Sequence, residues 1–457
     1  MMNRCCFTSL KLKKLGTMKG IEMMNMFDQK EFPDFPLNQP YYDPETKWTS
    51  SYNYEFEDKK RKPAHVIIHD VTLRDGDQTP GVVLLEDERV RIADALSEMK
   101  IPRIEAGMPA VSKNVENAMR RMTAKKYPHS QIFGFARAVL SDVELCADIG
   151  CQGIIIEYCV NPYTVKYAYK NTPEKLSKML VDSVNLAKSK NMYTSFMGWD
   201  WFRAPIEFTK WIVSELYEKT KLDGLVMVDT YGCATPDAVE EMFKRFKEWF
   251  PRLQLEFHGH NDIGCGNANC LSAILGGAEV IHTAVNGLGE RCGNVPTEEM
   301  AVLLEMHKGI DTGTDLTKIT GLSELVSTIT KMPIHDNKPV VGKRPYLSEP
   351  GISMDISYKL AHNNAVQVNN YLITVNPSVI GRKDNVEFVL GKSSGKNSVR
   401  LFLEKYDLKA SDEEIAEILK MIVEEAFVTK SLVSEDAFLR FVDIVKEKNS
   451  RLCCEKQ

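Results

Sequence analysis

The chain is expected to fold as an α/β protein: a (β/α)8 barrel with an N-terminal extended arm and mostly helical C-terminal subdomains. Three observations lead there. Eight short runs rich in β-branched and aromatic residues recur from residue 65 onward, amphipathic stretches separate them, and polar residues gather where the runs end.

The runs are HVIIHDV, PRIEAG, QIFGFAR, GIIIEYC, MYTSFMGW, GLVMVDT, LQLEFHGH and EVIHTAV, each of strand length. Between them lie EDERVRIADALSEM, TPEKLSKMLVDSVNLAKSK, PIEFTKWIVSELYEK and PDAVEEMFKRFKEWF, whose apolar residues repeat at helical spacing. Alternation alone also fits a doubly wound open sheet. The polar residues favour the barrel: Arg74-Asp75, Glu105, Arg137, Glu157, Asp200, Asp229-Thr230, His258-His260 and Asn286 stand at or just past the ends of runs. A barrel brings all those ends to one face.

Outside the repeat, residues 1–62 read as an arm, rich in Asp, Asn, Pro and aromatics, with Tyr41, Tyr42 and Trp48 expected to dock on something. The catalytic barrel is placed at 63–330. Pro/Gly-rich sequence (NKPVVGKRPYLSEPG) marks a linker or lid at 331–400, and 401–457 is read as a helical subdomain, with a helix starting at Asp412 behind a Ser411 cap.

With 457 residues, of which 43% are hydrophobic, the chain can bury a large core without disulfides. Net charge is −5, from 58 basic and 63 acidic residues mixed along the chain. That balance gives no footprint for nucleic acid and no polybasic membrane patch, so small molecules are the expected partners. The eleven cysteines lack metal-ligand spacing, adjacent Cys5/Cys6 and Cys453/Cys454 included. Reduced thiols and a cytoplasmic location are expected.

The first run leads into DVTLRDGDQTPG, which sets Arg74, Asp75 and Gln78 in a loop whose glycines allow a tight turn. A salt-bridged surface loop is the bland alternative. In HGHND, His258 and His260 are two residues apart and so point the same way off a pleat. Joined by the Asp75 carboxylate, they make a two-His-one-carboxylate face with open positions for substrate oxygens. NGLGERCGN, Asn286 to Asn294, permits close backbone approach but is no dinucleotide fingerprint. GKSSGKN likewise lacks phosphate-loop spacing, with Asn397 in place of the Ser/Thr.

Together DVTLRDGDQTPG, IEAG, VDTYGCATP, HGHNDIG and NGLGERCGN resemble the acetyl-CoA-condensing branch of a metallo-barrel superfamily that includes isopropylmalate, homocitrate and citramalate synthases, over about residues 65–400. The resemblance implies an acyltransferase that joins acetyl-CoA to a 2-oxo acid, converting acyl to alkyl on transfer. By that likeness Asp75, His258 and His260 hold a divalent metal, with Asn294 as a further ligand. Manganese is the first expectation, and magnesium, cobalt and zinc are alternatives. Arg74 is assigned to the developing alkoxide, Thr230 to the bound carboxylate, Gln78 and Arg137 to substrate binding. FMGWDWFRAP aligns with a segment reading SEDSFR in homocitrate synthases, which sets Asp200 near the chemistry and gives Arg203 the distal carboxylate of a dicarboxylic oxo acid.

Two positions depart from that pattern. Trp199 replaces a common glutamate, and in EPGISMD Ser353 replaces the histidine expected to help deprotonate acetyl-CoA. Tyr358, His362 and His335 are the candidate replacements. Oxaloacetate is the first expected substrate, giving citrate by a Re-face synthase, with 2-oxoglutarate and homocitrate as the alternative, then the isopropylmalate and citramalate reactions. Lyase or carboxyl-transferring barrels are disfavoured by the synthase-like NPSVIGRKDNVEFVLGKSSGKNS. A binding barrel that has lost its base is the non-enzymatic alternative. The resemblance also implies a homodimer or higher homo-oligomer, with 331–400 in the lid role.

Overall fold

The computed structural model describes residues 37–57, 62–363, 371–383 and 386–454. Eight parallel strands close a barrel: β1 Ile67–Asp70, β2 Arg103–Glu105, β3 Gln131–Arg137, β4 Gly153–Cys159, β5 Tyr193–Trp199, β6 Gly224–Asp229, β7 Gln254–Gly259 and β8 Val280–Thr283. Strand β8 closes the ring on β1, with Val280 opposite Ile67 and Thr283 opposite Asp70. Each of the eight runs read from the sequence contains one strand.

Helices follow the strands in turn: α1 Glu86–Glu98, α2 Lys113–Lys125, α3 Leu140–Ile149, α4 Pro173–Ser189, α5 Ile206–Lys219, α6 Pro236–Trp249, α7 Gly266–Gly276 and α8 Thr297–Val302, with α9 Ile319–Thr330 packed beside α1. Alternation along a strand sorts the two cores. On β7, Leu255 and Phe257 face outward into the layer between strands and helices. Phe133, Phe135, Ile155, Met197, Val226 and Val228 fill the barrel interior as a separate cluster.

The interior also holds charge. His69 pairs with Glu105 at 2.9 Å and His282 with Glu256 at 3.0 Å, and the two imidazoles stack at 4.2 Å. Arg103 lies 3.6 Å from Glu256 and over the Tyr193 ring. Burial would make either charge costly alone, and pairing offsets it.

The arm is read as carrying no regular structure, but its described part, from residue 37, forms a two-stranded ribbon (Tyr42–Asp43 with Lys47–Trp48) and a short helix Tyr52–Glu55. It docks through Lys47 Nζ to the Met306 carbonyl and the Trp48 N–H to the Thr374 carbonyl, with Trp48 edge-on to Tyr371. Residues 1–36 of the arm lie outside the described residues.

Beyond the barrel, α10 Gly351–His362, α11 Lys396–Lys405, α12 Asp412–Thr429 and α13 Glu435–Cys454 surround a second apolar cluster. Ser411 caps α12 by accepting from the Glu414 N–H. Met354 and Val399 join Ile418 and Phe438 in that cluster, so the helical unit draws on residues from both sides of position 400.

Candidate metal and substrate site

At the carboxyl end of β1 the backbone N–H groups of Arg74, Asp75 and Gly76 all converge on the Val71 carbonyl, at 2.8–3.1 Å. That tight turn carries Asp75 over the barrel mouth. The β8 loop is sutured to it: Thr72 Oγ1 accepts from the Val285 N–H (2.8 Å), and Thr79 Oγ1 from the Gly289 N–H (2.7 Å).

Gly289 is needed here because a Cβ would sit 2.3 Å from Asn294 Nδ2 and 2.9 Å from Asp75 Oδ1, at a φ of +147°.

Asp75, His258 and His260 are buried and offer donor atoms that all lie within 4.8 Å of one another. His258 Nε2 stands 3.6 Å from Asp75 Oδ2. Asn294 donates to Asp75 Oδ1 at 2.7 Å, and its own Oδ1 is buried without a partner, as are the Nδ1 atoms of both histidines. Burial holds both imidazoles neutral, His258 well below its ordinary value and His260 also lowered. Neutral imidazoles, a carboxylate and an unpaired amide oxygen in one buried set suit a divalent cation.

A second group of buried donors, His69, Glu256 and His282, lies deeper. Its carboxylate is already taken by His282, Ser195 and Tyr193, with Arg103 beside it. We assign that group to the barrel core.

Arg74 is buried, bonded through Nη1 to Asp75 at 2.6 Å and through Nε to Glu105, and lies 4.3 Å from the Phe135 ring centroid. Its Nη2 is buried with no partner. Opposite charge overrides the burial cost for Glu105, whose carboxyl is pulled down to about 2 by Arg74 and His69.

At the end of β5, Asp200 adopts φ 61°, a strained left-handed backbone for a non-glycine residue. Its carboxylate accepts from Arg203 Nε (2.5 Å) and Nη2 (2.9 Å) and from Asn161 Nδ2 (2.8 Å). Arg203 stacks 3.6 Å over Tyr231. The Asp200 N–H donates to Thr230 Oγ1 at 2.8 Å, which ties these elements together.

Other expected site residues sit differently. Gln78 is exposed at the mouth. Arg137 is mostly exposed and held by Asp142 on α3 at 2.7 Å. Tyr358 and His362 stack on each other at 3.9 Å on α10, and His362 faces Glu404, so their contacts stay within the C-terminal helices. His335 lines a cavity of about 600 Å³ together with Thr79, Gly289, Asn294 and Lys338.

Sequence reading missed Asn161 and Tyr231. The NP pair after β4 signals a helix cap, and Asn161 does cap, accepting from the Tyr163 N–H. Nothing local reveals that its amide also holds Asp200.

Residues 65–326 match the HMGL-like family. The homocitrate synthase of Saccharolobus islandicus (strain L.S.2.15 / Lassen #1) is 34% identical over 358 residues, covering 78% of this chain and 75% of the relative. That of Sulfolobus acidocaldarius is 32% identical over 80% of this chain and 76% of its own. Among solved structures, hydroxymethylglutaryl-CoA lyase from Pseudomonas aeruginosa superposes with TM-score 0.54 at 19% identity over 60% of this chain and 96% of the lyase. The HMG-CoA lyase from Brucella melitensis gives 0.52 at 19%, over 59% of this chain and 100% of the lyase. At that identity the likeness is one of fold.

Proposed function

The chain belongs to the HMGL-like family, and from that premise we propose that it condenses acetyl-CoA with a dicarboxylic 2-oxo acid, 2-oxoglutarate, giving homocitrate and free CoA. The observation that carries the reading is the Asp75, His258, His260 donor set beside the unpaired Arg74 Nη2, in a chain whose relatives are homocitrate synthases over most of their length.

A divalent ion bound by Asp75, His258 and His260, with Asn294 Oδ1 as a further donor, supplies Lewis acidity to the keto carbonyl. Mixed nitrogen and oxygen donors accept manganese, and also magnesium, cobalt or zinc. Arg74 is locked by Glu105 and Asp75, so its free Nη2 is preorganised to donate where the alkoxide forms. Thr230 orients the substrate carboxylate. Arg203, fixed on Asp200 through Nε and Nη2, offers its remaining edge to the distal carboxylate, a charge-assisted hydrogen bond. The cavity between Asn294 and His335 gives the thioester arm a route to the mouth, and about 600 Å³ is within the range of roughly 300–1,000 Å³ usual for ligand sites.

Oxaloacetate, first in the sequence expectation, is the second reading, and Trp199 favours it. This half-buried indole ends the strand that leads to Arg203, where a bulky side chain would suit the shorter diacid. One methylene discriminates by only about 1–3 kcal/mol.

Thiol release from acetyl-CoA with manganese and each of 2-oxoglutarate, oxaloacetate, pyruvate and 2-oxoisovalerate tests the proposal. A kcat/KM highest for 2-oxoglutarate is expected. Preference for oxaloacetate would move the assignment to citrate formation, and preference for either monocarboxylic acid would refute the role of Arg203.

A further inference from the structure

The carboxyl groups that end the strands are nearly all committed. Glu105 is held by Arg74 and His69, and Asp200 by Arg203 and Asn161. Asp229 accepts from the backbone N–H groups of Cys233 and Ala234 and from Asn269. Asp75 belongs to the ligand set.

Glu157, at the end of β4, is the exception: among the described residues no hydrogen bond or ion pair engages its carboxyl. The barrel register sets it beside Arg137 on β3 and Met197 on β5, two residues beyond inward-facing Ile155. It therefore stands on the inward row, one pleat above the layer containing Phe135, the ring under the Arg74 guanidinium. The charges that act on it come from the same mouth: Arg74, Asp75, Glu105 and Glu290.

We infer that Glu157 is the residue that removes the proton from the methyl carbon of the acetyl thioester, filling the role left open where Ser353 replaces a histidine. This rests on the condensation proposed above. The Glu157 carboxylate takes the methyl proton, and the C–H electron pair passes into the thioester as an enolate. The enolate carbon bonds to the keto carbon, whose π pair becomes the alkoxide facing Arg74, and the proton that Glu157 took passes through water to that alkoxide, restoring the carboxylate. Water cleaves the thioester, and CoA leaves as the thiol.

Burial pushes the Glu157 carboxyl up to about 7, with Arg74 pulling against it and Asp75 and Glu105 adding to it. A base in that range suits proton transfer at neutral pH. Half-buried Tyr358 and exposed His362 make their contacts among the C-terminal helices instead.

The test uses the full-length, manganese-loaded protein, its E157Q and E157D variants, and two readouts: thiol release and deuterium wash-in to the acetyl-CoA methyl group in D2O. E157Q is expected to lose both by about 10²–10⁴-fold, with KM, metal content and melting temperature unchanged, and E157D to recover part of the rate. Wild-type rates in E157Q would overturn the assignment and leave the condensation standing. Loss of bound manganese in E157Q would also overturn it, as Glu157 would then be holding the ion. A wild-type chain with neither thiol release nor exchange would overturn both readings.

Discussion

Arg203 owes its position to a neighbour that pays in backbone strain. Asp200 is held at a positive φ, and both its oxygens are spent on Arg203 and Asn161, so it acts by orienting the guanidinium. Charge-assisted hydrogen bonds are worth about 1.5–3 kcal/mol. Arg203→Leu is thus expected to raise KM for the dicarboxylic acid by about 10- to 150-fold, with metal content unchanged; steady-state kinetics and elemental analysis check this. An unchanged KM would remove Arg203 from the diacid site. The histidines make a separate prediction. Burial lowers the pKa of both His258 and His260, so protons compete for the ligand nitrogens only below the ordinary imidazole range. Bound metal is expected to persist at about pH 6, where an unperturbed imidazole of pKa ~6.5 is mostly protonated. Metal content after dialysis across pH measures the midpoint, and release at or above the ordinary range would contradict the burial argument.

At the scale of elements, the strands and the paired histidines were legible because both follow from period. Leu255 and Phe257 alternate with Glu256 and His258, so HGH had to present two imidazoles on one side once β7 was recognised. Long-range pairing left no such trace. The link from His69 to Glu105 to Arg74 crosses two strands, and the Thr72 and Thr79 sutures join loops more than two hundred residues apart. Tyr358 and His362 looked like base candidates because sequence distance from Ser353 was the guide, whereas α10 turns them toward Glu404. Loop closure at the mouth depends on Gly289. Gly289→Ala drives a Cβ against Asn294 and Asp75, so loss of bound metal and of activity together is expected. Metal retention in a folded Gly289→Ala variant would show that the loops can part without cost to the site.

Across the whole molecule, two apolar cores stand side by side: the barrel with its helical jacket, and the cluster of α10 to α13. Binary pattern predicted helices at the C-terminal end but not where their core begins, since Met354 joins Phe438 across more than eighty residues. Phe438 is fully buried there, and Phe438→Ala is expected to cost about 3–5 kcal/mol in urea unfolding. A cost near zero would mean the cluster adds nothing to stability. Among the described residues no helix is long and apolar enough to cross a membrane.

The barrel brings β1 and β7 together so that the donor atoms of Asp75, His258 and His260 lie within 4.8 Å of one another, and the central proposal is that they share one ion. Elemental analysis of wild type and His258→Ala, each stripped with chelator, reloaded with manganese and desalted, decides this. One ion per chain in the wild type and none in the variant is expected; equal manganese in both would contradict the site.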